Sequence, residues 1–197
     1  MIAYPAPDHG TSFARAIVEG YLTGAQEEIA IVVPMRTERF PAAAIYDEAA
    51  ARIGDRLAAG QDVAVFCEGD PFFYGSFMHL HARLRDLVPV RVVPAITGMG
   101  AAWAATDAPI TWGDDVLATL MGTLPEEVLV TQMQQADALV VMKIGRNIDK
   151  IRRALRRAGR FEAAWLVEYA AMAGQTVTRL VESRCETAPY FSILIVH

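Results

Sequence analysis

The chain has 197 residues, 53% of them hydrophobic, and a formal net charge of −5. That length is comfortable for two small α/β domains, and the acidic balance argues against a general nucleic-acid binder. Two cysteines, Cys67 and Cys185, stand in no metal or redox spacing and suit a reducing compartment; no run approaches a membrane span, and Met1–Gly10 lacks the features of a signal peptide, so a cytoplasmic protein is expected.

Ile2-Ala3-Tyr4 reads as the tail of a strand and Pro5–Gly10 as a loop. Thr11 or Ser12 caps a helix with Phe13, Ile17, Val18 and Leu22 on its inner face. Glu28–Val33 reads as a strand ending at Pro34, and Arg36–Ala42 as an irregular connection. Tyr46–Ala59 is helical, with Ala49, Ile53 and Leu57 inward, and stops at Gly60. Val63–Cys67 is a short apolar run, the pattern of a buried strand. It breaks at Gly69-Asp70-Pro71: glycine tolerates positive φ, aspartate bonds nearby amides, and proline cannot continue a ladder. Phe77, Leu80, Leu84 and Leu87 then follow at helical spacing. Arg91-Val92-Val93 reads as another strand, closed by Pro94, before a second glycine-rich turn, Ala95–Gly100, and a small-residue helix through Ala105.

Proline and glycine cluster over Ala108–Asp115, which sets the domain boundary: 1–111, with parallel character, and 112–197, mixed. The second domain reads as strand Val116–Met121, a helix opened by Pro125-Glu126-Glu127, and strand Ala138–Met142 running into Lys143-Ile144-Gly145-Arg146. Asn147 caps a helix with Ile148, Ile151 and Leu155 buried and Arg152, Arg153, Arg156 and Arg157 outward, a solvated face. Ala163–Tyr169, Thr176–Glu182 and Tyr190–Val196 read as strands.

Three glycine turns therefore end strands, at Gly69, Gly98 and Gly145, and each leaves backbone donors and acceptors open at a strand end, where open α/β sheets bind ligands. If the two domains face each other, the turns line one cleft, a favoured place for a small-molecule pocket. Catalytic constellations are weak. His79 and His81 are two apart on a helix and make a poor metal pair, Asp114-Asp115 suits capping or a solvated turn, and no Gly-x-Ser-x-Gly or Walker loop occurs, so no metal is expected. The residues alone reach a two-domain α/β protein with a small-molecule cleft, not a reaction.

The stretch Cys67–Met78 (CEGDPFFYGSFM) resembles the tetrapyrrole methyltransferase family, in particular its branch acting at C20 of precorrin-2 in cobalamin biosynthesis. Ala14–Val18, Val93–Met99, Ala108–Asp115, Met142–Asn147 and Ala188–Ile193 extend the resemblance over nearly the whole chain, in family order. It implies two α/β domains with S-adenosylmethionine in the cleft between them, and a homodimer. Carried over by position, it assigns Glu68, Gly69, Asp70 and Phe73 to the methionine part and ribose, Thr97 and Gly98 to the second turn, and Ile144 and Ala170 to the adenine. The implied chemistry is methyl transfer from the sulfonium to C20 of precorrin-2, or of its cobalt form, with the macrocycle as nucleophile and Glu68, Asp70 or His79 open as acceptors of the C20 proton. A substrate with several carboxylates needs basic residues at the rim, for which Arg15, Arg36 and Arg146 are candidates. Two departures bear on activity. The family's opening strand and Gly-x-Gly-Pro-Gly-Asp loop have no counterpart before Ile2, from which a sheet short of a central strand is expected; and Ala95 stands where the family has glycine, a strained position if its φ is positive. The rival expectation is a non-catalytic tetrapyrrole-binding or partner protein that keeps the fold and has lost the methyl-donor site; a third is a different methyl acceptor within the same family.

Overall fold

A computed structural model describes residues 1–33 and 42–197. The chain forms two compact units, Met1–Ile96 and Thr97–His197.

The first unit holds a parallel three-stranded sheet of order β2-β1-β3, with β1 at Ile2–Ala6, β2 at Glu28–Val32 and β3 at Ala64–Val65. Alternation along β1 feeds both faces. Ala3 joins Ile29 and Ile31 under helices α2 (Ala42–Ala58) and α3 (Phe77–Leu84), where Tyr46, Ala49, Ile53, Phe77, Leu80 and Leu84 close the main core. Ile2 and Tyr4 meet Ala14 of α1 (Phe13–Val18) on the other face. Ser12 caps α1, accepting from the Arg15 N–H.

Several expectations for this unit fail. Phe13 and Ile17 are 44% and 65% exposed, because six-residue α1 turns only Ala14 fully inward over a narrow sheet. Leu87 lies beyond α3 and is 77% exposed. Arg91–Val93 is not a strand: it has no ladder partner among the described residues, and β3 itself pairs only at Ala64 and Val65. The expected connection beginning at Arg36 lies largely outside the described residues.

The second unit holds a mixed five-stranded sheet of order β4-β5-β8-β6-β7: β4 Leu117–Met121, β5 Ala138–Met142, β6 Ala164–Glu168, β7 Thr176–Arg179 and β8 Ser192–Val196. Only β4 and β5 are parallel; β8 runs antiparallel between β5 and β6, and β7 pairs antiparallel with β6. Helices α5 (Glu126–Gln135) and α6 (Ile148–Arg157) cover one face, burying Leu129, Met133, Ile148, Ile151 and Leu155 against Leu139, Val141, Leu166 and Leu194. Helix α4 (Gly98–Ala105) covers the other, with Ala102 and Trp103 against Ala138, Val140, Val167 and Ile195. That burial puts α4 in the second unit, so the compact units part at 96/97 rather than at the expected 111/112. β7 ends at Arg179 and turns at buried Leu180, short of the expected Glu182.

Candidate functional site: strand-end turns in each unit

In the first unit, Glu68, Gly69, Asp70 and Phe73 lie together on the turn after β3. The Phe66 N–H donates to the Ala3 carbonyl at 2.8 Å, extending the ladder up to the turn. Gly69 has φ 64°, as the sequence anticipates, and Tyr74 has φ 56°, which it does not. Left-handed backbone at a bulky residue is uncommon and persists only where its surroundings fix it. Asp70 braces the same turn. Its Oδ1 accepts from the Phe72 N–H at 2.9 Å and its Oδ2 from the Ala95 N–H at 3.0 Å. Those donors, Ala95 foremost, hold its carboxyl below the usual carboxylate range. Ala95 is not among the residues with positive φ, so it carries no left-handed strain in place of glycine.

In the second unit, Thr97, Gly98, Ile144 and Ala170 converge on one end of the sheet. β4, β5 and β6 all finish there and β8 begins there, since Val141 pairs with Leu194 and Glu168 with Ser192. Thr97 caps α4, its Oγ1 accepting from the Gly100 N–H at 3.1 Å. A Cβ on Gly98 would stand 3.5 Å from Ile193 Cδ1, so the start of α4 lies over the start of β8. Ile144 follows β5 with its side chain buried beneath α6, and Ala170 follows β6. Both turns are left-handed: Lys143 has φ 55° and Gly145 41°, Tyr169 53° and Ala171 58°. The Tyr169 N–H donates to the Phe191 carbonyl at 2.8 Å, tying the β6 turn to the approach to β8.

This edge also holds Ser192, which sequence reasoning passed over. It is 3% exposed, and its hydroxyl has no hydrogen-bond partner among the described residues. A buried orphan hydroxyl calls for a ligand or a water. The edge therefore offers main-chain donors at the first turn of α4, main-chain groups on two left-handed turns, and a hydroxyl that lacks a partner. That donor set suits a polar ligand carrying both an amino-acid end and a nucleoside end, the make-up of S-adenosylmethionine, and needs no charged signature.

The basic candidates fare differently. Arg15 is spoken for: its guanidinium bonds Glu28 at 2.7 and 3.0 Å and Glu19 at 3.2 Å, and Glu28 also accepts from the Tyr4 hydroxyl at 2.7 Å. Arg36 lies outside the described residues. Arg146 is exposed, on the turn after β5. Arg152, expected outward, is the clearest departure on α6. Its side chain is 11% exposed and donates to the carbonyls of Ser183 and Cys185 at 2.8 and 2.7 Å. Arg153 and Arg157 do face outward and pair with Glu126 and Glu127. A hollow of about 460 Å³ beside Arg152, Arg156 and Phe161 includes none of the predicted site residues. Asp115 caps the Trp112 N–H at 2.7 Å and meets His197 at 3.0 Å. His79 stacks on Tyr46 with centroids 4.7 Å apart.

The chain is 41% identical over 204 residues to a precorrin-2 C(20)-methyltransferase from a Sinorhizobium species, covering all of this chain and 83% of that protein. It is 29% identical to the cobalt-precorrin-2 C(20)-methyltransferase of Salmonella typhimurium, covering 95% of this chain and 80% of that one. The fold is shared with the uroporphyrin-III C-methyltransferase of Thermus thermophilus complexed with S-adenyl homocysteine: TM-score 0.63, 21% identity, 99% of this chain and 84% of that one. The family model for tetrapyrrole (corrin/porphyrin) methylases matches residues 6–184, and the chain belongs to that family.

Proposed function

We propose that this chain methylates C20 of precorrin-2, or of its cobalt form, in cobalamin biosynthesis, with S-adenosylmethionine as methyl donor. The observation that carries the reading is the 41% identity to a precorrin-2 C(20)-methyltransferase over the full chain. When bound, S-adenosylmethionine supplies a methyl group on a cationic sulfur. Thr97, Gly98, Ile144 and Ala170 of the second unit are the residues we assign to it, largely through main chain; for Glu68, Gly69, Asp70 and Phe73 of the first unit the assignment rests on the family resemblance alone.

The acceptor carbon is electron-rich, so the chain needs no nucleophile of its own. The Cys67 thiol, pushed up to about 11 by burial, stays protonated at neutral pH. What the protein supplies is alignment and exclusion of water. One proton must leave C20. Asp70 is a poor acceptor, because the Ala95 and Phe72 N–H groups stabilise its charged form. Glu68 is exposed on the same turn, and we assign the proton to it. Arg146 is assigned to a substrate carboxylate; Arg15 is left to the fold, since a substrate acid would have to displace Glu28 from it.

The chain is read as a homodimer of the cytoplasm. Its two free cysteines fit a reducing compartment, and among the described residues no helix is long and apolar enough to cross a membrane. Incubation with precorrin-2 and S-adenosylmethionine is expected to give a product in which one methyl group replaces the C20 hydrogen, a net mass gain of CH2, absent from a Glu68→Gln variant. Absence of heat with S-adenosylhomocysteine in calorimetry would instead favour the rival non-catalytic reading, in which the methyl-donor site is lost. Sedimentation at micromolar concentration tests the dimer.

A further inference from the structure

Most arginines around α6 are neutralised within the fold. Arg152 bonds Asp149, Arg153 bonds Glu126, and Arg157 bonds Glu126 and Glu127. The turn after β5 is different. Lys143, one of two lysines in the chain, and Arg146 are both exposed, and neither has an acidic partner among the described residues. They flank Ile144 at the sheet end where Thr97, Gly98 and Ala170 also gather.

The turn is held firmly. Its left-handed start at Lys143, φ 55°, is closed by the Asn147 N–H donating to the Ile144 carbonyl at 2.7 Å. Asn147 Nδ2 donates to the Lys143 carbonyl at 3.4 Å, and the Ala188 N–H to the Gly145 carbonyl at 3.2 Å. Buried Gly122 lies against the Lys143 carbonyl, where an added Cβ would come within 2.8 Å. A left-handed lysine with a free ammonium, three residues from a free guanidinium, is thus fixed on a braced turn. Two exposed cations without acidic partners among the described residues, three residues apart on a braced turn, are placed to receive an anion, and left-handed strain at a non-glycine residue clusters at functional sites.

We propose that Lys143 and Arg146 together seat an acid side arm of the tetrapyrrole, the arginine as a fork and the lysine as a point charge. This rests on the methylation reading and adds Lys143 as a second substrate-binding group.

The test uses the full chain and uroporphyrin III, a stable polycarboxylated tetrapyrrole, titrated by quenching of tryptophan fluorescence. Lys143→Asn removes the charge while keeping a residue that tolerates left-handed backbone, and Arg146→Gln removes the other. Each is expected to raise the Kd about tenfold, the cost of one charge-assisted hydrogen bond. Lys143→Arg restores affinity. Added salt weakens the wild-type complex more than that of the double variant. A double variant that binds uroporphyrin as the wild type does, or a wild type that does not bind it, overturns the proposal. S-adenosylhomocysteine calorimetry on the same proteins separates the two readings. Unchanged heat in the double variant assigns the loss to the tetrapyrrole alone. A wild type without heat, but with porphyrin binding lost as expected, would leave the cation pair standing and remove the methyl-donor reading.

Discussion

Gly122 links the core of the second unit to the candidate site. It is buried at the end of β4, and its N–H donates to the Met142 carbonyl at 2.7 Å. In Gly122→Ala the new methyl carbon would stand 2.8 Å from Ile151 Cδ1, 2.8 Å from the Lys143 carbonyl oxygen and 3.2 Å from the Met142 carbonyl oxygen. The Ile151 tip can rotate away, but the two carbonyls belong to the backbone that leads into Ile144. Overpacking of this kind costs about 1–3 kcal/mol. For a chain of this size that is a fall in Tm of about 2–12 °C. Differential scanning fluorimetry reads the fall, and calorimetry with S-adenosylhomocysteine reads the accompanying loss of affinity as the Lys143–Ile144 turn is pushed aside. Gly54→Ala is the control: Gly54 sits inside α2 with nothing within 4 Å of the added methyl. It is expected to stabilise by about 0.5–1 kcal/mol, because alanine is the better helix former. A Gly122→Ala protein with wild-type Tm and wild-type affinity would refute the claim that the end of β4 braces the turn after β5.

Asp70→Ala frees the N–H groups of Phe72 and Ala95 and is expected to weaken S-adenosylhomocysteine by about tenfold or more, with far-UV circular dichroism unchanged. Arg152→Ala strips two carbonyls of a donor and should lower stability by about 1–3 kcal/mol in urea unfolding, while Arg157→Ala, an exposed pair, should leave the midpoint unchanged. Glu28 titrates below its ordinary value of 4.5, chiefly through its hydrogen bond from Arg15 and then that from Tyr4. Its contribution is therefore complete above that pH and is lost as pH falls through the lowered value. Glu28→Gln should be less stable than wild type at pH 7, and the two Tm curves should converge in acid; parallel curves would contradict the pairing.

The elements that were legible in the sequence are those whose local chemistry and tertiary role agree. The turn at Gly69-Asp70-Pro71 is one: φ 64° at glycine and an aspartate bonding the amide two residues on are what those residue types supply anywhere. Helix α6 is another, for its inward Ile148, Ile151 and Leu155. Arg152 was misread because long side chains at helical spacing do not say whether a carbonyl-lined segment awaits them; here 183–185 folds back over the helix, and the charge is buried against it. Val92 and Val93 read as strand from β-branching alone, yet a strand exists only where a neighbour pairs with it. The helix after Gly98 looked like the last element of the first domain because it precedes the proline cluster. Its membership is decided instead by Trp103, whose partners Val140, Val167 and Ile195 lie far along the chain.

The candidate site divides along the same line. The turns themselves were legible where glycine or a capping threonine marks them, as at Gly69 and Thr97. Tyr74, Lys143, Tyr169 and Ala171 reach the same left-handed region with side chains that ordinarily avoid it, so nothing in their identity signals it. Ser192 shows the same limit from the polar side, since a serine opening an apolar strand looks like a surface residue until burial leaves its hydroxyl without a partner. In the second unit, the strain at Lys143, Tyr169 and Ala171 and the orphan hydroxyl of Ser192 therefore accumulate at one sheet end, beside the exposed charges of Lys143 and Arg146. The methyl-donor site proposed above draws on that conformation more than on side-chain identity. It also follows that substitutions which leave every polar side chain in place but move the carbonyls, Gly122→Ala foremost, should damage binding more than removal of an outward arginine on α6.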